Sequence, residues 1–252
     1  MLRHPTIEKL HELRLSGMAA ALNEQQGLAD IEAMSFEERL GLLVERESSV
    51  RESRQTTARL RRAKLKFPDA VPEDIDYRSA RGLDRSLIGQ LLTCNWIRER
   101  NSAVIIGATG LGKTWLSCAL ANQACRQGFS TLYLKMPRLN EDLAIAHGSG
   151  RYARLLAQWA KTDVLLMDDF AMAPMSDGAV RDLLEILDDR HGHRSTLVTS
   201  QIPIENWHAV LGDPTLADAI LDRLVHNTYR VNLSGESMRK HKKSLTDKPR
   251  SE

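Results

Sequence analysis

The chain has 252 residues, 42% hydrophobic and 27% charged, with a formal net charge of +2. That length holds one full α/β core and a smaller appendage, and excludes two large domains. So slight an overall charge carries no nucleic-acid signal, so any basic surface has to come from local clustering.

Ile7, Leu10, Leu13, Met18 and Leu22 recur at helical spacing and predict a first helix, ended by Gly27. A second helix is expected from Ser35, with Glu38 reaching back in an S-x-x-E capping box and Leu40, Leu43 and Val44 on its apolar face. Beyond them Arg51, Arg54, Arg59, Arg61, Arg62, Lys64 and Lys66 stand against one acid, Glu52. These cations form either a strip that contacts DNA phosphates or a solvated helix face. Pro68 and Pro72 then break the chain, predicting a small all-α N-terminal domain over 1–67 and a linker over 68–84. Asp84 is expected to cap a helix with Leu87, Ile88, Leu91, Leu92 and Trp96 on one face.

From Ala103 onward strand-like and helix-like segments alternate, with strands expected at 103–106, 131–136, 164–167, 196–200 and 229–233. Alternation of this kind predicts an α/β fold with a mostly parallel five-stranded sheet covered by helices on both faces. Its ligand is expected beyond the carboxyl ends of the strands. The end of the chain, 241–252, is a basic tail with Lys242, Lys243, Lys248 and Arg250, expected to be disordered. Cys94, Cys118 and Cys125 form no C-x-x-C pair and no metal spacing, so buried, reduced thiols are expected. The first residues include Arg3, His4, Glu8 and Lys9 without an apolar segment, and no apolar run approaches membrane-spanning length. A cytoplasmic protein without a membrane partner is the expectation.

The stretch with the most chemical content is Gly107-Ala108-Thr109-Gly110-Leu111-Gly112-Lys113-Thr114, which fits G-x-x-x-x-G-K-[ST] at every constrained position. It lies between the apolar run 103–106 and a helix-compatible run from Trp115 to Gln127. At average glycine usage a chance match in a chain this long is about a one-in-a-hundred event. Backbone amides from Gly107 through Trp115, with the positive end of the helix, would hold nucleotide phosphates. Lys113 would reach the β- and γ-phosphates, and the Thr114 hydroxyl would ligate Mg²⁺. Val164-Leu165-Leu166-Met167-Asp168-Asp169 is a buried-strand run ending in two carboxylates. Asp168 suits the metal's water shell and Asp169 the attacking water. The strand 196–200 turns polar at its end, placing Ser200 or Gln201 beside the γ-phosphate. From spacing alone, Arg223 is a surface cation paired with Asp222 or Asp218, and Arg239 a solvated helix-start cation. A second basic cluster, Arg138, Arg151 and Arg154, flanks a connector at His147-Gly148-Ser149-Gly150 that is expected to be flexible. The first basic cluster is interleaved with no aromatic and the second with Tyr152 alone, which favours backbone-dominated duplex binding over base stacking.

GATGLGKT, VLLMDD, TLVTSQ, GDPTLADAILDRL and GESMRK, in that order, resemble the AAA+ ATPases of the IstB/DnaC group. The likeness is greatest to the IstB-like ATPases that assist transposition of bacterial insertion sequences, and it covers most of the chain, including Arg14-Leu15-Ser16-Gly17-Met18. The P-loop is common to many families; the last two stretches are far more specific. The resemblance implies an AAA+ domain over 85–240 that uses ATP and Mg²⁺, with the linker 68–84, at Arg81-Gly82-Leu83, forming the edge of the nucleotide pocket. In it Lys113 and Thr114 form Walker A, and Asp168 and Asp169 form Walker B. Gln201 falls at the sensor-one position, Arg223 at an arginine finger acting on a neighbouring subunit's nucleotide, and Arg239 at the sensor-two position. Many AAA+ proteins carry Glu where Asp169 stands; the shorter acid fits slow, switch-like hydrolysis. An arginine acting in trans requires head-to-tail subunits, in a ring or open helix. In related loaders and initiators the region of Arg138, Arg151 and Arg154 faces a DNA channel. The implied partners are duplex DNA, a cognate transposase and further copies of the chain, with DnaC-like loading of a replicative helicase as the alternative.

Overall fold

Proline fixes φ and lacks an amide donor, which suits the first turn of a helix. Helix α1 (Pro5–Glu12) opens in this way in the structure, a computed structural model that describes residues 5–28, 31–78 and 80–238. Arg239 and the tail expected over 241–252 lie outside the described residues. Arg14 takes φ +60°, so the single helix expected up to Gly27 is two, α1 and α2 (Ser16–Gln25). Helix α3 (Phe36–Ala63) begins with the expected capping box: the Ser35 amide donates to Glu38 Oε2 at 2.8 Å and the Glu38 amide to Ser35 Oγ at 3.3 Å. The break before α2 exposes its first amides, and a carboxylate of α3 takes them. Buried Glu47 Oε2 accepts from the Gly17 and Met18 amides at 2.7 and 3.2 Å, while Oε1 accepts from Arg51 Nε at 2.7 Å. Only glycine fits at 17, because a Cβ there would lie 2.7 Å from Glu47 Cα.

Packing divides the described chain into two units, residues up to Ala58 and residues from Arg59 onward. After the end of α3, the second unit continues with α4 (Arg85–Leu92), capped as expected by Asp84, which accepts from the Ser86 and Leu87 amides. After α5 (Asn95–Arg98) come β1 (Ser102–Ile106), α6 (Lys113–Arg126), β2 (Thr131–Lys135) and α7 (Met136–Gly148). Then follow α8 (Tyr152–Lys161), β3 (Val164–Phe170), α9 (Asp177–Arg190) and β4 (Ser195–Ser200). The described chain closes with α10 (Trp207–Leu211), α11 (Pro214–Val225) and β5 (Thr228–Asn232).

Among the described residues the sheet has five strands in the order β2-β3-β4-β1-β5, and every pairing is parallel. Helices cover both faces, so strands such as β1 are apolar on both sides. Ala103 and Ile105 pack with Ile88, Leu116 and Leu120 on one face; Val104 packs with Leu143, Leu183 and Trp207 on the other. Met136, expected to end β2, starts α7 instead. Pro137 follows it, lacks a donor for the ladder and fits a first helical turn. All three cysteines are buried free thiols, as expected. Among the described residues no helix is long and apolar enough to cross a membrane.

Candidate nucleotide site

Parallel strands deliver their carboxyl ends to one edge of the sheet, and the loops after β1, β3 and β4 meet there. Gly112 takes φ +82°, turning the chain out of β1's loop directly into α6, so the amides that open α6 have no side-chain cap. Buried Lys113 donates from Nζ to the Gly107 and Ala108 carbonyls at 2.7 and 2.9 Å, which holds the loop in a closed curve. Burial lowers the Lys113 pKa, and the negative field of Asp169 and Asp168 opposes that shift.

Asp168 is fully buried and takes three hydroxyl donors. Thr114 Oγ1 donates to Oδ1 at 2.9 Å, Thr199 Oγ1 to the same oxygen at 2.5 Å, and Tyr133 Oη to Oδ2 at 2.7 Å. Burial, reinforced by the bond to Asp168, raises the Tyr133 pKa, so the phenol remains a donor. The Thr114 hydroxyl and the Asp168 carboxylate are oxygen donors of the kind a hard divalent cation takes, so the residues fit Mg²⁺ beside a nucleotide's phosphates.

Asp169 is aimed differently. The β3·β4 register shifts between Met167 and Phe170, and Asp169 takes φ +59°, a conformation costly for a side chain other than glycine. This turns its carboxylate into a cleft of about 530 Å³ shared with Lys113, Thr114 and Gln201. Its amide donates to Thr199 Oγ1 at 3.2 Å, and Lys135 Nζ lies 3.9 Å from its Oδ2.

The far wall of the cleft includes Arg81, from the stretch 81–83 expected at the edge of the nucleotide pocket, and residues that the sequence reading placed elsewhere. Lys66, one of the cations expected to contact DNA, lines it beside Phe67, with Nζ 5.7 Å from the ring centroid. Arg81 is 2% exposed; it donates from Nη1 to the Leu111 carbonyl of the P-loop at 3.1 Å and from Nη2 to the Asp76 carbonyl at 3.0 Å. Burial lowers its pKa against the pull of Asp76. The segment leading to position 239 lies on the P-loop as well. The Met238 amide donates to the Gly110 carbonyl at 3.0 Å, and a Cβ on Gly110 would lie 2.0 Å from Ser237 Oγ. A lone arginine far from the glycine loop in sequence gives no periodic signal for these contacts.

Arg223 belongs to the opposite end of the sheet. It lies in the last turn of α11, just before β5 begins, so the length of a five-residue strand, about 15 Å, separates it from the chain's own P-loop. Its ion-pair partner is Asp188 of α9, not Asp222 or Asp218, and Nη1 donates to the Ala219 carbonyl at 2.7 Å. Asp222 and Asp218 instead face His226 and His208. Of the remaining basic candidates, Arg54, Arg61, Arg62 and Lys64 are exposed, Arg59 is half-buried, and Arg51 is paired with Glu47. Arg138, Arg151 and Arg154 are exposed on and beside α7 and α8. The connector between these helices is more built than expected: His147 stacks on Tyr152 with centroids 3.8 Å apart and contacts Asp182 at 3.1 Å.

Comparison with known proteins agrees with this geometry. Residues 8–246 match the profile of the family described as IstB-like ATP binding protein. An insertion sequence ATP-binding protein of Sinorhizobium fredii is 51% identical over 243 residues, covering 96% of this chain and 99% of the relative. The ATP-binding protein of insertion sequence IS1162 from Pseudomonas fluorescens is 50% identical over 203 residues, covering 81% of this chain and 88% of the relative. Among solved structures, DnaI superposes with a TM-score of 0.58 at 21% identity, over 66% of this chain and 91% of that one. That last likeness concerns the P-loop AAA+ fold.

Proposed function

The chain belongs to the IstB-like ATP binding protein family, and on that premise we propose that it hydrolyses ATP to control its own head-to-tail assembly on target duplex DNA, where it recruits a transposase. One observation supports the ATPase reading above all: Asp168, Asp169 and Gln201, distant from the P-loop in sequence, converge on its Lys113 and Thr114 at one edge of the sheet. Lys113 leaves the Gly107 and Ala108 carbonyls for the β- and γ-phosphate oxygens. Thr114 and Asp168 would hold Mg²⁺, which would supply neutralising positive charge at the phosphates. Asp169 orients water for attack, with Gln201 beside it. Arg223, too far from its own P-loop, completes the site of a second copy, which favours a ring or open helix over a two-fold pair. Arg239 follows directly on Met238, which is bonded to the P-loop, and acts on the nucleotide in cis.

Duplex binding uses the exposed cations Arg54, Arg61, Arg62, Lys64, Arg138, Arg151 and Arg154, with Arg51 and Arg59 in support. If about four phosphates are neutralised per subunit, log affinity falls against log salt with a slope of about −3.6 per protomer. The test is ATP turnover and duplex binding of the purified chain across a salt series. Turnover abolished by Lys113→Ala, with salt-sensitive duplex binding, supports the reading; a slope near zero removes the DNA partner. The fold shared with the DnaC helicase loader supports helicase loading as the second reading. Capture by the transposase and not by a replicative helicase decides between them.

A further inference from the structure

One buried cation of the nucleotide cleft has no role in the motifs assigned so far. Arg81 is 2% exposed and lines the cleft together with Gly112, Lys113 and Thr114. A guanidinium carries five N–H donors and no acceptor. The partners of its described hydrogen bonds are all uncharged. Nη1 donates to the Leu111 carbonyl at 3.1 Å and to Met238 Sδ at 3.4 Å, and Nη2 donates to the Asp76 carbonyl at 3.0 Å. Nε is buried and has no hydrogen-bond partner. Buried donors left without a partner are rare, and a buried cation without a paired anion is costly. Burial lowers the Arg81 pKa, and the fields of Asp76 and Tyr77 oppose that shift. The guanidinium needs an anionic acceptor that its described hydrogen bonds do not supply.

Its position says which acceptor. A Cβ on Gly112 would lie 2.9 Å from Arg81 Nη1, so the guanidinium stands beside the turn that opens α6, whose first amides have no side-chain cap. In the sheet, β3 and β4 lie on one side of β1 and β5 on the other. Asp169 near the end of β3 and Gln201 after β4 mark the γ-phosphate end of the cleft in the function proposed above. Arg81 belongs to the β5 side: Ser234, just beyond β5, donates from its amide to the Arg81 carbonyl at 2.9 Å. A nucleotide laid across the loop with its γ-phosphate toward Asp169 therefore brings its α-phosphate and nucleoside to Arg81. Of these parts the α-phosphate is the anion, and it is the acceptor that a guanidinium binds most strongly.

We propose that Arg81 is a nucleotide-binding residue that donates to the α-phosphate of the nucleotide in the chain's own P-loop. Its bonds to the Leu111 and Asp76 carbonyls hold the guanidinium in place between the loop and the linker, so little side-chain freedom is lost when the phosphate arrives. The α-phosphate is unchanged when the γ-phosphate is cleaved. The contact is therefore as strong in ATP and ADP as in the transition state, and it tightens binding without speeding cleavage. It rests on the nucleotide reading above, and the two fail in different ways.

Full-length parent and Arg81→Gln are titrated calorimetrically with ADP and with the two ADP diastereomers that carry sulfur in place of one α-phosphate oxygen. The variant is expected to bind ADP about tenfold more weakly. KM for ATP should rise by a similar factor, the loss falling on KM rather than kcat. The two diastereomers should differ in affinity for the parent, and that difference should shrink in the variant, which no longer distinguishes the oxygen facing position 81. Unchanged ADP affinity overturns the contact. So does weaker binding with an undiminished difference between the diastereomers, which would make Arg81 a strut for the loop and nothing more. Where Arg81→Gln does not fold, Arg81→Lys carries the same comparison, because a single ammonium replaces the planar fork. Its diastereomer difference should also shrink, and an undiminished one overturns the contact. A parent that binds no ADP removes the nucleotide reading itself, whereas a parent that binds it beside an indifferent variant removes this contact alone.

Discussion

Three hydroxyl donors on Asp168 set its orientation before any ligand is considered. Tyr133 contributes one of them from β2, through a side chain that is not among those lining the cleft. Groups that orient a metal-binding carboxylate affect metal use more than nucleotide binding. Tyr133→Phe is therefore expected to raise the Mg²⁺ concentration for half-maximal turnover by about tenfold, with metal-free nucleotide affinity unchanged; a magnesium titration of turnover checks it. Asp169 differs, because a bulge and a left-handed backbone direct it into the cleft. Asp169→Asn should keep ATP binding and lose about a hundredfold in turnover. Equal, low turnover in variant and parent would mark the protein as an assembly scaffold that uses ATP without cleaving it.

At the level of elements, two joints have measurable signatures. Glu47 binds the amino end of α2, and its carboxyl pKa is held below the ordinary value, first by the Arg51 hydrogen bond and then by the Met18 and Gly17 amides, against burial. A carboxylate depressed in the folded state stabilises above its unfolded pKa, about 4.3, and the contribution disappears as pH falls through the lower folded value. Thermal melts of the first 58 residues' signal should thus weaken with acid below about pH 4.3, and Glu47→Gln should flatten that dependence. The second joint is Trp207, fully buried at the start of α10, tilted against Phe170 with centroids 4.6 Å apart and donating from Nε1 to the Ile202 carbonyl at 2.9 Å. Trp207→Ala should cost about 3–5 kcal/mol, measured as a lowered denaturation midpoint. A change below about 1 kcal/mol would show that the site collapses around the lost ring.

Across the whole molecule, what was legible in the sequence follows from which signals are local. The strands of the parallel sheet are buried on both faces, so they appear as short apolar runs, and all five were placed within a few residues. The P-loop and the paired acids were legible because their chemistry demands contiguous residue types. Long-range contacts left no such trace. Tyr133 reaches Asp168 from a neighbouring strand, and Arg223 finds Asp188 on another helix instead of the acids near it in sequence; Arg81, which reaches the P-loop across thirty positions, was placed near the pocket by the family resemblance alone. Lys66 belonged to a basic run whose other members are mostly exposed, yet the turn after α3 brings it to the nucleotide cleft. Helix ends misled where a single residue overrode periodicity, as at Arg14, with its positive φ, and at Met136 before Pro137.

The phosphate loop and Arg223 lie at opposite ends of one sheet, and in the function proposed above a second copy completes the catalytic site. Size-resolved light scattering of the full chain with duplex DNA, in the presence of ATP, ADP or a non-hydrolysable analogue, tests this most directly. Large assemblies with ATP or the analogue, and their loss with ADP, are predicted. A chain that remains monomeric on DNA with every nucleotide contradicts the account.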